Sequence, residues 1–379
     1  MPLTALLIGL CALLGAHAAF AQPADCNQPA VAAISQVALP GHPFSAIPTA
    51  DGCTLFVSLT PTQAGETSKL AVLSRRNGQV SLVRTVPAGF QATGMALSPD
   101  GRMLAVADNH GVLLFDTARL IGGADALVAM AEDGANADAV YTAFSADGRL
   151  LAVSDEGAQA VTIYDFAAFT AGQSLKAIGK VHTGYGPTGL TFSPDSKRLY
   201  VVVQIAAAPG AQCAFEGGQG ASHAPGLLTV IDASRAATDP ARAVLAEIPA
   251  GCNPVRVAVS PKGDRAYVSM RGGDSLGVFD TAKLLSDRAH AALAVLKVGK
   301  SPVGLVASDK MVFVTNSDRF GGNDTQSVYA IDPGNLAHAK SIPAGGFPRE
   351  LKLTADGATL LVTNFTTSGL ELVDLARLP

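Results

Sequence analysis

Arg256, Arg349 and Glu350 are the side chains of this sequence best suited by type and position to do chemistry. Arg256 and Glu350 each stand two residues after a proline, and Arg349 stands one residue after. Equivalent positions elsewhere in the chain hold Ser45, Gly94, Tyr141, Gly189 and Gly304. Guanidinium and carboxylate groups gathered at one register admit two readings. They form an Arg–Glu pair that closes a channel, or a charged funnel that takes a small anion or other polar ligand.

A second set of polar residues ends short β-rich runs: Asp108-Asn109-His110, Asp155-Glu156, Gln204, Arg271, Asn316 with Asp318, and Asn364. Tyr141, Arg256, Arg271, Arg349, Glu350, Asn316, Asn364 and His110 are the candidate ligand-binding residues. His42, His182 and His223 fall in neighbouring loops. Imidazoles commonly ligate metals, but these come from separate loops at no ligand spacing and read as solvated loop residues. Asp318, Asn323 and Asp324 in SDRFGGND offer oxygens to a hard cation such as Ca²⁺, or form Asx turns. There is no nucleophile elbow, no phosphate-binding glycine loop, no acid pair at catalytic spacing and no C-x-x-C-H haem motif. No catalytic residue is assigned, and no cofactor or metal is called for.

These residues must be positioned by a repeat. AVSPKGDRAYVSMRGGDSLGVFD, residues 258 to 280, is a turn, a strand, a loop and a second strand ending in Asp. Related turns contain Asp51, Asp100, Asp147, Asp195, Asp309 and Asp356, mostly roughly 47 to 49 residues apart. Several short strands per unit at that period predict an all-β fold, a seven-bladed β-propeller with four-stranded blades. In each unit strand A precedes the turn, strand B follows it, strand C ends in Asp in six units, and a variable strand D lies outermost. The chain stops after strand C of unit seven. Residues 30 to 41 read as the missing strand D, which closes the ring and removes an open sheet edge. The interval between Asp195 and Lys262 holds the one large insertion, roughly residues 205 to 226, which reads as a lid or a tolerated loop.

Of the 379 residues 48% are apolar and 15% charged, and the net charge is −4 with no basic block. That gives no electrostatic footprint for nucleic acid or for a membrane surface. Trp is absent, which disfavours an aromatic-lined sugar site. Residues 1–21 combine the apolar run Leu3 to Leu14 with Ala19-Phe20-Ala21, the pattern of a cleaved secretory leader, leaving 22–379 as one domain. The mature chain then keeps Cys26, Cys53, Cys213 and Cys252, an even number in an exported protein. Blade topology puts Cys26 and Cys53 on the face of the A–B turns, and Cys213 and Cys252 on the opposite face. The predicted pairs are Cys26–Cys53 and Cys213–Cys252, against the alternative of buried free thiols.

FSPDSKRLYVV, SPKGDRAYVS and the runs FVTN and LVTN resemble the YVTN-repeat β-propellers, including periplasmic YncE-type and lactonase-like members. The resemblance implies a seven-bladed ring over nearly the whole mature chain. Its lactonase-like branch carries Pro-Arg-His and Asn-Glu in one blade and Asn-Arg-Gly in the next. Here SMRGGDS puts Arg271 at that arginine, with Met270 before it, and FPREL with VTN supplies Arg349 and Asn364. Blade four reads GPTGL and VVQ, so Thr188-Gly189 and Gln204 replace the Arg-His and the acid, leaving no general base at those positions.

The leading reading is an exported, monomeric binding protein without a membrane anchor. It takes a small polar ligand or a protein partner through its top-face loops. The alternatives are a lactonase-like hydrolase or isomerase using Arg256, Arg271 and Glu350, and an accessory subunit of a periplasmic redox system.

Overall fold

A computed structural model of the chain describes residues 26, 28, 32–134, 136–169, 173–210, 212–214, 221–319 and 326–378. The leader segment 1–21, Asn323 and Asp324, and residues 211 and 215–220 of the insertion lie outside the described residues.

The repeat is legible in the turn chemistry. In five of the A–B turns a Ser or Thr hydroxyl donates to an Asp two residues on, as Ser98 to Asp100, Ser145 to Asp147 and Ser193 to Asp195, each 2.6 Å, whereas Ser260 in blade 5 donates to Asp264. The same carboxylate caps the backbone N–H two residues further along, and the hydroxyl also accepts from the start of strand B. These bonds hold the Asp100 and Asp195 carboxyls below the usual range. The turn then requires a left-handed residue, and Gly101 at φ 70° and Gly263 at φ 76° supply it without a Cβ penalty. The Asp that ends strand C has a matching local role. Asp116, Asp232 and Asp280 each accept from the backbone N–H three residues on, opening the C–D connection.

Among the described residues the strands form seven antiparallel four-stranded sheets. Six blades use consecutive strands. The seventh takes Pro348–Leu353, Thr359–Asn364 and Gly369–Asp374 as strands A to C. Its strand D is the N-terminal Ile34–Ala38, in register from Ile34 opposite Val373 to Ala38 opposite Gly369. Adjacent strands A pack on each other around the ring, and blade 7 packs on blade 1. Side-chain bonds reinforce that seam: Arg75 donates to Thr359 Oγ1 at 2.9 Å, and Thr363 Oγ1 donates to the Phe44 carbonyl at 3.2 Å. The core lies between blades, where fully buried Leu, Val, Phe and Tyr from facing sheets interdigitate.

Both predicted disulfides are present. Cys26–Cys53 ties the N-terminal segment to the A–B turn of blade 1, and Cys213–Cys252 ties the blade 4 insertion to the loop entering blade 5.

Candidate functional site

In every blade strand A lines the central axis. The second residue after the proline step points inward, and the ring it builds is filled by large side chains beside glycines. Strand A of blade 5 (Pro254–Val259) contributes Arg256, and strand A of blade 7 contributes Glu350. Arg256 Nε donates to Glu350 Oε2 at 2.9 Å, and the Tyr141 hydroxyl donates to the same oxygen at 2.9 Å. The Arg256 guanidinium lies 3.7 Å over the Tyr141 ring. Gly94 is part of this fit, because a Cβ there would overlap the Tyr141 ring. The ion-paired side chains are only 9% and 12% exposed, so the pair works at reduced dielectric and closes the axis.

Arg349 points elsewhere. Its guanidinium stacks 3.8 Å over Phe44 and 5.4 Å from both Phe347 and Phe365. Burial, with the charges of Arg256 and Arg319 adding to it, pulls its pKa down to about 9. Burial likewise lowers the pKa of Arg256, with Glu350 opposing. Arg256 Nη2 and Arg349 Nε are buried without a hydrogen-bond partner among the described residues.

On the face of the B–C loops lies a cleft of about 640 Å³. Its wall is a hydrogen-bonded chain across blades 3 to 5. Gln204 Nε2 donates to Glu156 Oε1 at 2.7 Å, and Arg271 Nη2 donates to Gln204 Oε1 at 3.1 Å. Gln204 therefore bridges a carboxylate to a guanidinium. Gly186, left-handed at φ 68°, brings the chain close to the Gln204 amide, where a Cβ would press at 2.8 Å. Tyr185, 50% exposed, along with His223, Asn253 and Arg319, completes the lining. His223 Nδ1 sits 2.8 Å from the Ala224 carbonyl, which can only accept, so Nδ1 is the donor of that bond. Asn253 Oδ1 is buried without a partner among the described residues. The Cys213–Cys252 bridge anchors this rim, since Cys213 pairs by a β-bridge with His223 and Gly272 N donates to the Cys252 carbonyl.

Of the sequence candidates, Tyr141, Arg256 and Glu350 meet on the axis, and Arg271 lies in the cleft. Asn316 and Asn364 do not join them. Asn316 is fully buried; its Oδ1 accepts from Gly299 N at 2.8 Å and its amide donates to Ser327. Asn364 is 1% exposed and donates to Glu371. Asp108, which accepts from Gln91 N at 2.6 Å, shows the same device: the residue ending strand B staples the glycine-rich step between blades. The recurrent Asn is thus structural, because its side chain turns into the blade rather than to the mouth. His110 is exposed at the rim, its ring 5.7 Å from Phe90. His42 stacks on Phe365 and bonds to its carbonyl. No group of three or more His, Cys, Asp or Glu among the described residues is placed to hold a metal.

Asp155 and Glu156, adjacent in sequence, separate by strand alternation. Glu156 lines the cleft, while Asp155 turns into blade 3 and is fully buried. There Thr162 Oγ1 donates to Asp155 Oδ2 at 2.5 Å, the Lys180 ammonium lies 3.5 Å away, and the Tyr164 hydroxyl donates to neighbouring Asp133. Burial, then the Asp133 charge, pushes the Asp155 carboxyl up to about 8.

Comparison with known proteins adds a family to this geometry. A match to the family described as Lactonase, 7-bladed beta-propeller, spans residues 25–291, well over half of the chain. The chain belongs to this lactonase family. No curated protein matches its sequence. Among solved structures, a chain described as "Crystal Structure of Mitotic Checkpoint Complex" superposes with a TM-score of 0.63 over 98% of this chain and 99% of that one. At 14% identity that likeness speaks for the propeller fold alone. Within the lactonase family this member has Glu156 beside Gln204 in the cleft, so a carboxylate is present one blade before the position at which the sequence lacked it.

Proposed function

We propose that this lactonase-family propeller is an exported binding protein that holds a small polyhydroxylated anion, of the sugar-acid class, in its top-face cleft. The observation that carries the reading is the chain Glu156–Gln204–Arg271 along the wall of that cleft. Arg271 and Arg319 suit a carboxylate, because a planar guanidinium can donate to both of its oxygens. Glu156, Gln204 and the unpartnered Asn253 Oδ1 suit hydroxyl donors. Tyr185, half exposed, offers a flat apolar surface to a sugar ring. The two disulfides support an oxidising compartment outside the cytosol, and no helix among the described residues is long and apolar enough to cross a membrane.

Calorimetric titration with aldonic acids tests this. Saturable binding to the wild type that falls at least tenfold in Arg271→Ala supports it, and equal binding by both proteins refutes it.

Family membership and the facing of Glu156 and His223 into one cleft favour a second reading, hydrolysis of a sugar lactone. Glu156 would take a proton from water as its oxygen bonds to the lactone carbonyl carbon, with Arg271 drawing charge from the carbonyl; the ring C–O bond then breaks, the leaving alkoxide takes the proton back from Glu156, and the new carboxylic acid releases its proton to solvent. Proton release from a lactone panel, abolished in Glu156→Gln, would establish turnover. Binding without proton release leaves the first reading standing.

A further inference from the structure

Below the Arg256–Glu350–Tyr141 closure the axial channel widens again into a chamber of about 660 Å³ that opens among the A–B turns. It lies on the opposite side of the closure from the top-face cleft. Its walls follow from strand alternation, because residues two apart on a strand face the same way. Two positions below the closing ring stand Ala96, Ala143, Thr191, Ala258, Val306 and Lys352, all lining the chamber. At this level the wall is small and mostly aliphatic, with one ammonium, while Arg256 and Glu350 form its roof and Ser98, Ser193 and Ser260 stand at its mouth.

Lys352 is exposed to the chamber, yet protein surrounds it on every side, and that enclosure lowers its pKa. No described residue makes a hydrogen bond or ion pair to it. The carboxylate that acts on it, Glu350, already accepts from both Arg256 and Tyr141. With Arg256 and Arg349 behind the closure, the axis carries three cations against that single carboxylate. Asp100 at the mouth is solvent-exposed beside Arg102 and screened from the interior.

We propose that this chamber is a second binding site, for a small organic monocarboxylate with a short alkyl body. A lone ammonium among aliphatic walls matches a single negative charge. A phosphate dianion would need further donors, but the Ser98, Ser193 and Ser260 hydroxyls at the mouth already donate to Asp100, Asp195 and Asp264, and Arg256 is paired with Glu350. The alkyl part would cover Ala143, Ala258 and Val306 and remove their apolar surface from water.

The test is calorimetric titration of the whole protein with acetate, butyrate and hexanoate. The site predicts saturable binding that tightens about fourfold per methylene buried, as the transfer free energy of a CH₂ requires. Lys352→Met should weaken every member at least tenfold, and Lys352→Arg should retain most of the affinity. Ala258→Leu, which fills the chamber without touching the charge, should weaken hexanoate more than acetate. Arg271→Ala removes the carboxylate-binding group of the other cleft, and in it the component of binding that depends on Lys352 and tightens with chain length should persist. Matching circular dichroism and unfolding midpoints establish that the variants are folded. Equal binding by wild type and Lys352→Met, loss of the Lys352-dependent component in Arg271→Ala, or no saturable binding to the wild type would each overturn the proposal.

Discussion

Arg256 of blade 5 and Glu350 of blade 7 meet across the propeller axis with Nε and Oε2 2.9 Å apart. This ion pair roofs the lower chamber, whose wall beneath it is mostly aliphatic with Lys352, while the polar cleft lies on the opposite face among the loops of blades 3 to 5. Removing one partner strands the other charge in a site where water is scarce. Glu350→Gln is therefore expected to destabilise the fold by about 3–5 kcal/mol. Denaturant unfolding checks this, and the double variant Arg256→Met/Glu350→Leu should recover most of the loss.

Gly94 leaves the space that the Tyr141 ring fills. Gly94→Ala should force that ring from its place over Arg256 and cost about 1–3 kcal/mol. Thermal unfolding measures the cost. A substitution without effect would mean that the ring can move freely.

The buried acids of blade 3 make stability depend on pH. The Asp155 carboxyl has an ordinary value of 3.8 and lies at about 8 when folded, with Asp133 raised beside it. Between those limits the folded state holds a proton that the unfolded chain has released, so stability falls as pH rises from about 4 to about 8. The slope from one such proton is at most about 1.4 kcal/mol per pH unit. Asp155→Asn removes the titration. Its stability relative to wild type should improve from pH 5 to pH 8 in parallel urea melts, and parallel curves for the two proteins would refute the assignment.

Cys213–Cys252 holds the rim of the top cleft, with His223 bridged to Cys213. Replacing both cysteines by serine should lower stability by about 2–4 kcal/mol. It should also weaken ligand binding in the cleft more than binding in the lower chamber, a difference that paired titrations would read directly.

The blades were legible because local chemistry repeats: Ser-x-Asp-Gly turns, β-branched runs and a capping Asp after strand C each have a physical cause at every occurrence. The disulfides followed from which face each loop occupies. The site was less legible. Asn316 and Asn364 have the right residue type for the mouth, but the direction of the side chain, set by its bonds to the neighbouring glycine step and to strand C, turns them inward. Tyr185, Asn253 and Arg319 come together only through the paths of loops from different blades, which no spacing in the sequence encodes. The Arg256–Glu350 pair was readable as a register coincidence, whereas the partner of Gln204 was not.

The most direct test of the binding account is the unfolding temperature of the protein against a panel of aldonic acids, for wild type, Arg271→Ala and Glu156→Gln. At about 100 times its dissociation constant a cleft ligand should add about 2.7 kcal/mol to wild-type stability. The account predicts that this stabilisation is lost in Arg271→Ala and reduced in Glu156→Gln. Stabilisation retained in full by Arg271→Ala, or absent from the wild type with every sugar acid, would contradict it.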